Sequence, residues 1–453
     1  MLLKSKVILI TCLLILVSTM LFVVAAQKYE GQEVDLLLIT EPDSYVVGDR
    51  ELLADFNKET GIRVKTEFLW HERLWDRIRI EALAKTSGFT AMRMSPGFIM
   101  EYYQIGALEP LDDYIKMFGY ENQLDDWPES VQKSHMSIPG SDKIWSIPIN
   151  ANTPILIYQK KLFESEKEKE AFKEEYGYEL KPPVNTDQLL DMAEFFTRPS
   201  ENLYGFHELL APVAHSYVAA LEYIWSFGGE VLDEDNKVIL NSEETVKAME
   251  YASKLHQYIP KEAFAADYAE EERWISNNNV AMARVWAGNA RSYLNPKENP
   301  RNFQNYGMIL KPKVEGTEFE AGQGVLGGGG VSLYAHAPQK EKEAAAKFLL
   351  DWLFDQDKLG EYLEAGAFHP RKSTFTHPKI LEDPLMKDLG PLWLEALNKT
   401  GHARPFVPEA SQIYEELSLM LHAVSLEGVD PEKAVEQATD KIYDIMDNAG
   451  YYD

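Results

Sequence analysis

The chain has 453 residues, with 45 Lys and Arg against 73 Asp and Glu and a formal net charge of -28. That length exceeds a single hydrophobic core, so two or more lobes are expected. A chain this acidic repels nucleic-acid backbones and anionic lipid, which argues against any polyanion-binding role.

Lys4 and Lys6 precede an uncharged apolar run, Val7 to Ala26, that closes on Val24-Ala25-Ala26 before Gln27. This is the pattern of a signal peptide, residues 1–26, cleaved at its small-residue end. The run is also about 20 residues long, enough for an uncleaved anchor. Both readings export the remainder, to the periplasm or the outer face of the membrane. The only cysteine, Cys12, lies in this run behind Thr11 and fits a lipidation site poorly. The mature chain then has no disulfide, thiol nucleophile or thiolate metal site.

"VDLLLIT" (34–40) is near-continuously apolar, as a buried strand of a parallel sheet is. "RELLADFNKETGIRV" predicts a helix closed at Gly61, then a strand. "RVKTEFLW" is that second strand, and "ERLWDRIRIEALAKTSG" a second helix ending at Gly88. This β-α-β-α order implies a doubly wound sheet, with ligands at the carboxyl ends of its strands. Glu41 to Ser44, Trp70 and Ser95 occupy such positions. "IPINANTPILIYQKKLF" (147–163) sets Asn150, Asn152 and Thr153 before an apolar strand at 155–158. The charged segment 164–183 suits a solvated helix. Further helices are predicted in "NTDQLLDMAEFFTR", "SYVAALEYIWSFGG" and "NSEETVKAMEYASKLHQY", the last capped by Asn241 or Ser242. "NNNVAMARVWAG" and "YGMILKPK" read as strands, "GVLGGGGVSLYAHAP" as a Gly-rich strand or loop, and "QKEKEAAAKFLLDWLFD" as a helix. The tail from Pro391 is helical, with Pro431 opening its last helix. No linker separates two lobes, so the chain is expected to cross between them repeatedly, near "WSIPINANT", "NYGMILKPK" and "LFDQDKLGEY".

Catalytic and metal patterns are thin. Gly322, Gly324 and Gly327 have G-x-G-x-x-G spacing, but a strand rather than a helix follows, so no dinucleotide site is expected. "HERLW" and "HELLAPVAH" both lack H-E-x-x-H spacing, the ten histidines are scattered, and G-x-S-x-G does not occur. No cofactor and no metal are expected.

The collinear order of these motifs resembles the extracellular solute-binding proteins of ABC importers, the sugar-binding group that includes maltose-binding proteins. "LLADFNKETGIRVKTEF", "QIGALEPLDDY", "DKIWSIPINANTPILIYQKKLF", "FGGEVLDEDNKVILNSEETVKAMEY" and "AGAFHPRKS" carry the resemblance. Two departures are Gln159, where the family usually has Asn, and "FTAMRM", where an Asp is expected near Thr90–Met92. The resemblance implies a periplasmic-binding-protein type II-like α/β fold: two doubly wound α/β lobes joined by multiple hinge crossings. The lobes would comprise 33–150 plus 312–355, and 151–311 plus 356–453. It implies a monomeric, non-catalytic component that captures a carbohydrate or polyol and docks on ABC transporter permease subunits.

Sugars are held by aromatic faces and planar polar side chains. The candidates are Glu41, Ser44, Trp70, Ser95, Asn150, Asn152, Trp225 and Trp286. The resemblance adds Arg371, in "AFHPRKS", and Gly328 and Gly329, where the backbone would approach the ligand closely. Structural alternatives stand beside each: core for a Trp on an apolar helix, a surface ion pair for Arg371, a bulged turn for the glycines. Rival functions are a secreted glycoside hydrolase and a binding protein for a peptide, polyamine or phosphorylated polyol.

Overall fold

The structure, a computed structural model, describes residues 34–41, 50–69, 71–212, 215–296, 299–300, 304–354 and 369–452. The N-terminal apolar run, Ser44, Trp70 and most of the third expected crossing lie outside these residues. In chain order the strands are β1 (Val34–Thr40), β2 (Ile62–Phe68), β3 (Ala91–Met94), β4 (Leu108–Glu109), β5 (Ile147–Asn152), β6 (Pro154–Gln159), β7 (Met282–Trp286), β8 (Tyr306–Ile309), β9 (Gly324–Val325), β10 (Gly327–Tyr334) and β11 (Gly401–His402).

The first lobe is built on a six-stranded sheet of order β2-β1-β3-β10-β4, with β5 also paired to β10. β2 and β3 run parallel to β1, and β10 runs antiparallel to β3, β4 and β5. The apolar run of β1 needs cover on both faces and has it. Val34, Leu36 and Leu38 join a cluster with Phe56 and Phe348, and Ile39 joins one with Leu74 and Ile78. The helices Arg50–Thr60 and Gln339–Phe354 therefore lie on one face and His71–Ala84 on the other. Gly61 closes the first helix at φ 74. Gly88 does not close the second. Lys85 takes the left-handed position at φ 54, and the Gly88 N–H donates to Glu81 Oε2 at 2.6 Å.

The second lobe has a three-stranded sheet, β7-β6-β8, antiparallel about β6. The segment from Tyr204 to His207 extends it alongside β7: Met282 N–H donates to the Gly205 carbonyl and Arg284 N–H to that of His207, at 3.1 and 2.9 Å. Helices Thr186–Phe196, Ser216–Ser226, Glu243–Leu255, Ala410–Ser425 and Pro431–Asn448 enclose it. Their starts follow from side-chain oxygens that accept otherwise unsatisfied N–H groups. Asn185 accepts from Gln188 N–H, Ser242 from Thr245 N–H, and Asp430 from Lys433 N–H, with Pro431 next in line.

The two sheets are almost continuous. β5 belongs to the first and β6 to the second, and only the fully buried Thr153 separates them. A second change of sheet runs from β8 to β10. The overall architecture is the expected α/β one, with two lobes and repeated crossings.

Candidate functional site

The seam between the sheets collects charged and polar groups that the lobe interiors would not tolerate unpaired. From the first lobe, Glu41 leaves the end of β1 and forms an ion pair with Arg93 on β3; both are buried. β3 is the "AMRM" segment, so the departure from the family pattern puts an arginine at a strand end beside the seam. A Cβ on Gly329 would lie 3.1 Å from Arg93 Cζ and 2.8 Å from the Met94 carbonyl oxygen. Gly329 is in register with Asn150.

His135 sits behind this group. Its Nε2 is 3.0 Å from the Gly327 carbonyl oxygen, and Ser134 Oγ is 2.7 Å from its Nδ1. A carbonyl only accepts, so Nε2 carries the proton. Burial holds the ring neutral, with its pKa lowered to about 3.

From the second lobe, Arg284 on β7 donates to Glu222 through Nε and Nη2, at 3.1 and 2.5 Å. Glu222 also accepts from Lys311 Nζ at 2.6 Å and from Val325 N–H at 3.3 Å. The Arg284 guanidinium lies 4.8 Å from the Trp286 ring centroid. Trp286 in turn reaches across to the first lobe, where a Cβ on Gly327 would lie 2.7 Å from its Cη2. A cavity of about 50 Å³ adjoins Glu222, Arg284 and Lys311 inside the second lobe. That is room for a few water molecules, not for a sugar.

At the outer part of the seam, Arg404 lies with its guanidinium carbon 5.6 Å from the Tyr217 ring centroid. Tyr217 stacks on Tyr414 at 4.4 Å, and the Tyr414 hydroxyl donates to the Gly97 carbonyl at 3.4 Å. Gly97 follows β3 and belongs to the first lobe; Tyr217 and Tyr414 stand on second-lobe helices. A Cβ at Gly97 would meet Arg404 Nη1 at 2.7 Å.

Several candidates named from the sequence are otherwise engaged. Arg371 is 1% exposed, donates through Nε to Asp126 at 2.7 Å, and packs against Trp127 and Phe354. It ties its own segment to Asp126, Trp127 and Phe354 as a buried ion pair, not as the surface pair that is the alternative to a ligand contact. Trp225 is buried too. Its Nε1–H donates to Glu230 at 2.9 Å and its ring stacks on His402 at 4.9 Å. Asn152 Oδ1 accepts from the backbone N–H groups of Thr153 and Gly288, at 3.1 and 3.0 Å, and so fixes the crossing itself. Gly328 has φ 91, and a Cβ there would lie 2.3 Å from the Asn150 carbonyl oxygen. The glycine run thus serves close approach of β10 to β5, Arg93 and Trp286. Glu41, Ser95, Asn150 and Trp286 remain near the seam. Asn150 is half-buried on the β5 face opposite Ile149 and Ala151, and its amide makes no hydrogen bond within the described residues.

No local pattern pointed to His135, Arg93, Arg404, Tyr217 or Tyr414. A buried chain of hydrogen bonds, Ser425 Oγ to His256 Nδ1 and His256 Nε2 to Glu208, at 2.7 Å each, was equally hidden. Tyr223 also donates to Glu208. The chain ties three helical segments together around one buried carboxylate, within the second-lobe core.

The model of the bacterial extracellular solute-binding proteins matches residues 51–388. The chain belongs to that family. This solute-binding protein superposes with a TM-score of 0.77 on an ABC transporter solute-binding protein from Agrobacterium radiobacter K84 in complex with ribitol. The two are 26% identical, over 91% of this chain and 98% of that one. It is similar in fold to maltose-bound MalE3 of T. maritima (TM-score 0.72, 21% identity, 90% and 98% covered). It is likewise similar to the sugar-binding protein MalE of Xanthomonas citri (0.72, 19%, 92% and 98%). Among the described residues no helix is long and apolar enough to cross a membrane.

Proposed function

We propose that this solute-binding protein captures a carbohydrate or polyol at the seam between its lobes and delivers it to an ABC permease. The observation that carries the reading is the junction itself. Two sheets meet at Thr153, and polar and aromatic groups of both lobes converge there: Glu41, Arg93 and Asn150 from one side, Trp286, Tyr217 and Arg404 from the other. Ligand contacts made by both lobes favour the state in which the lobes are together, and that state is what a permease would recognise. The ribitol and maltose held by its structural relatives set the expected class of ligand. In this reading the protein works outside the cytoplasm as a monomer, without catalysis, cofactor or nucleic acid.

A thermal-shift screen of the chain from Gln27 onward against sugars, polyols and polyamines tests this. A ligand at about 100 times its Kd stabilises the fold by about 2.7 kcal/mol. A shift with one sugar or polyol class, the solute recovered unchanged, is the expected result. No shift with any of them, or recovery of a cleaved sugar, would overturn it.

A further inference from the structure

Resting on that reading, we infer that the natural ligand carries one anionic group, a carboxylate on a sugar or polyol, and that Arg404 receives it. Arg404 is 9% exposed, yet among the described residues no carboxylate or other acceptor holds its guanidinium, and its Nε has no hydrogen-bond partner there. The other buried arginines of the described residues are matched: Arg93 by Glu41, Arg284 by Glu222, Arg371 by Asp126. The shortage is not one of acids, since 73 acidic residues face 45 basic ones. Leaving a buried guanidinium without an anion is costly, and the cost falls away when a ligand supplies the charge.

The surroundings favour an incoming anion. Burial is what chiefly keeps the His135 ring neutral, and Arg404 and Arg93 both bear on it from nearby, so two guanidiniums, only one of them paired with a carboxylate, flank the seam there. Tyr217 packs against the guanidinium, and the guanidinium's fork of N–H donors suits a planar acceptor. Gly97 admits the group because any side chain there would strike Nη1. A neutral sugar's hydroxyls would accept hydrogen bonds from Arg404 but would leave the charge uncompensated. One guanidinium matches a carboxylate, which brings one charge; a phosphate monoester brings nearly two.

Isothermal titration at pH 7 compares D-galacturonate with D-galactose, D-gluconate with D-sorbitol, and adds D-glucose 6-phosphate. At least one acid should bind at least about tenfold tighter than its neutral partner. Arg404→Gln should weaken the acid more than its neutral partner and so remove that preference, and Arg404→Lys should restore part of it. Thermal melts of both variants report folding, and the wild-type comparison needs neither. A sugar phosphate that outranks both acids would keep the anion site and overturn the carboxylate. Neutral solutes that bind as tightly as their acids would overturn the inference and leave the proposed function standing. Solutes that all fail to bind would overturn both.

Discussion

Glu222→Gln is the most informative stability test. Glu222 is the carboxylate that pairs directly with both Arg284 and Lys311, and its side chain is 4% exposed. The substitution keeps the shape and one acceptor oxygen but leaves two cations facing each other in the second-lobe core. Breaking a buried pair from one side costs about 3–5 kcal/mol. Glu208, which also attracts Arg284 and Lys311, holds the expectation near the lower figure, about 3 kcal/mol. For a unit the size of one lobe that lowers Tm by roughly 6–12 °C. Adding Lys311→Met removes one stranded cation, whose charged form burial already disfavours. The double variant should therefore be more stable than the sum of the single losses by about 1–3 kcal/mol. Urea unfolding of the four proteins supplies the cycle. A Glu222→Gln loss below about 1 kcal/mol, or strictly additive losses, would refute the idea that this triad is balanced by one carboxylate.

Four more expectations follow from the same geometry. Arg371→Ala should cost about 3 kcal/mol in urea unfolding, because it takes a buried guanidinium from Asp126, which keeps its Ser373 donors, and from the Trp127 and Phe354 rings, and leave ligand affinity within about twofold; a large affinity loss would return Arg371 to the site. Gly327→Ala should destabilise by about 1–3 kcal/mol, since its Cβ would strike Trp286; an unchanged melting curve would mean that the indole yields freely. Burial raises Glu271 to about 7 from an ordinary 4.5, so the native state binds the extra proton and stability falls as pH rises from 4.5 to 7, by about 3 kcal/mol. Glu271→Gln should abolish that slope in melts across the window, and an identical slope would dismiss it. His135 works in the opposite sense: its depressed pKa means that stability is complete above about 6.5 and is lost as pH falls, and His135→Gln should lessen that loss.

The legible parts of this protein were those written in local pattern. The run in β1, the Gly61 cap, the Ser242 and Pro431 starts and the alternation of strands and helices are set by neighbours in sequence, so they read directly. The Gly88 expectation missed because Lys85 accepted the left-handed conformation and Glu81 took the glycine's N–H for another purpose. The site was harder. Arg371 and Trp225 have the right chemistry for a sugar, but whether such a side chain meets solvent or Asp126 and Glu230 depends on contacts far apart in the chain. Arg93 and Arg404 are 311 positions apart, and nothing in "FTAMRM" or "GHARPF" announces that both bear on His135. An arginine without an acid is invisible until every acid has been placed.

Thr153 has a mechanical consequence. Because β5 and β6 are both locked into ladders, one lobe can turn on the other at this crossing only through the torsions of a single buried residue. Such a joint behaves as a pin rather than a tether. It transmits angle without slack, so a slight rotation at the pin becomes a long arc at the far rim. A pair of fluorophores on opposing outer helices would register that arc, while the junction itself barely changes its surroundings.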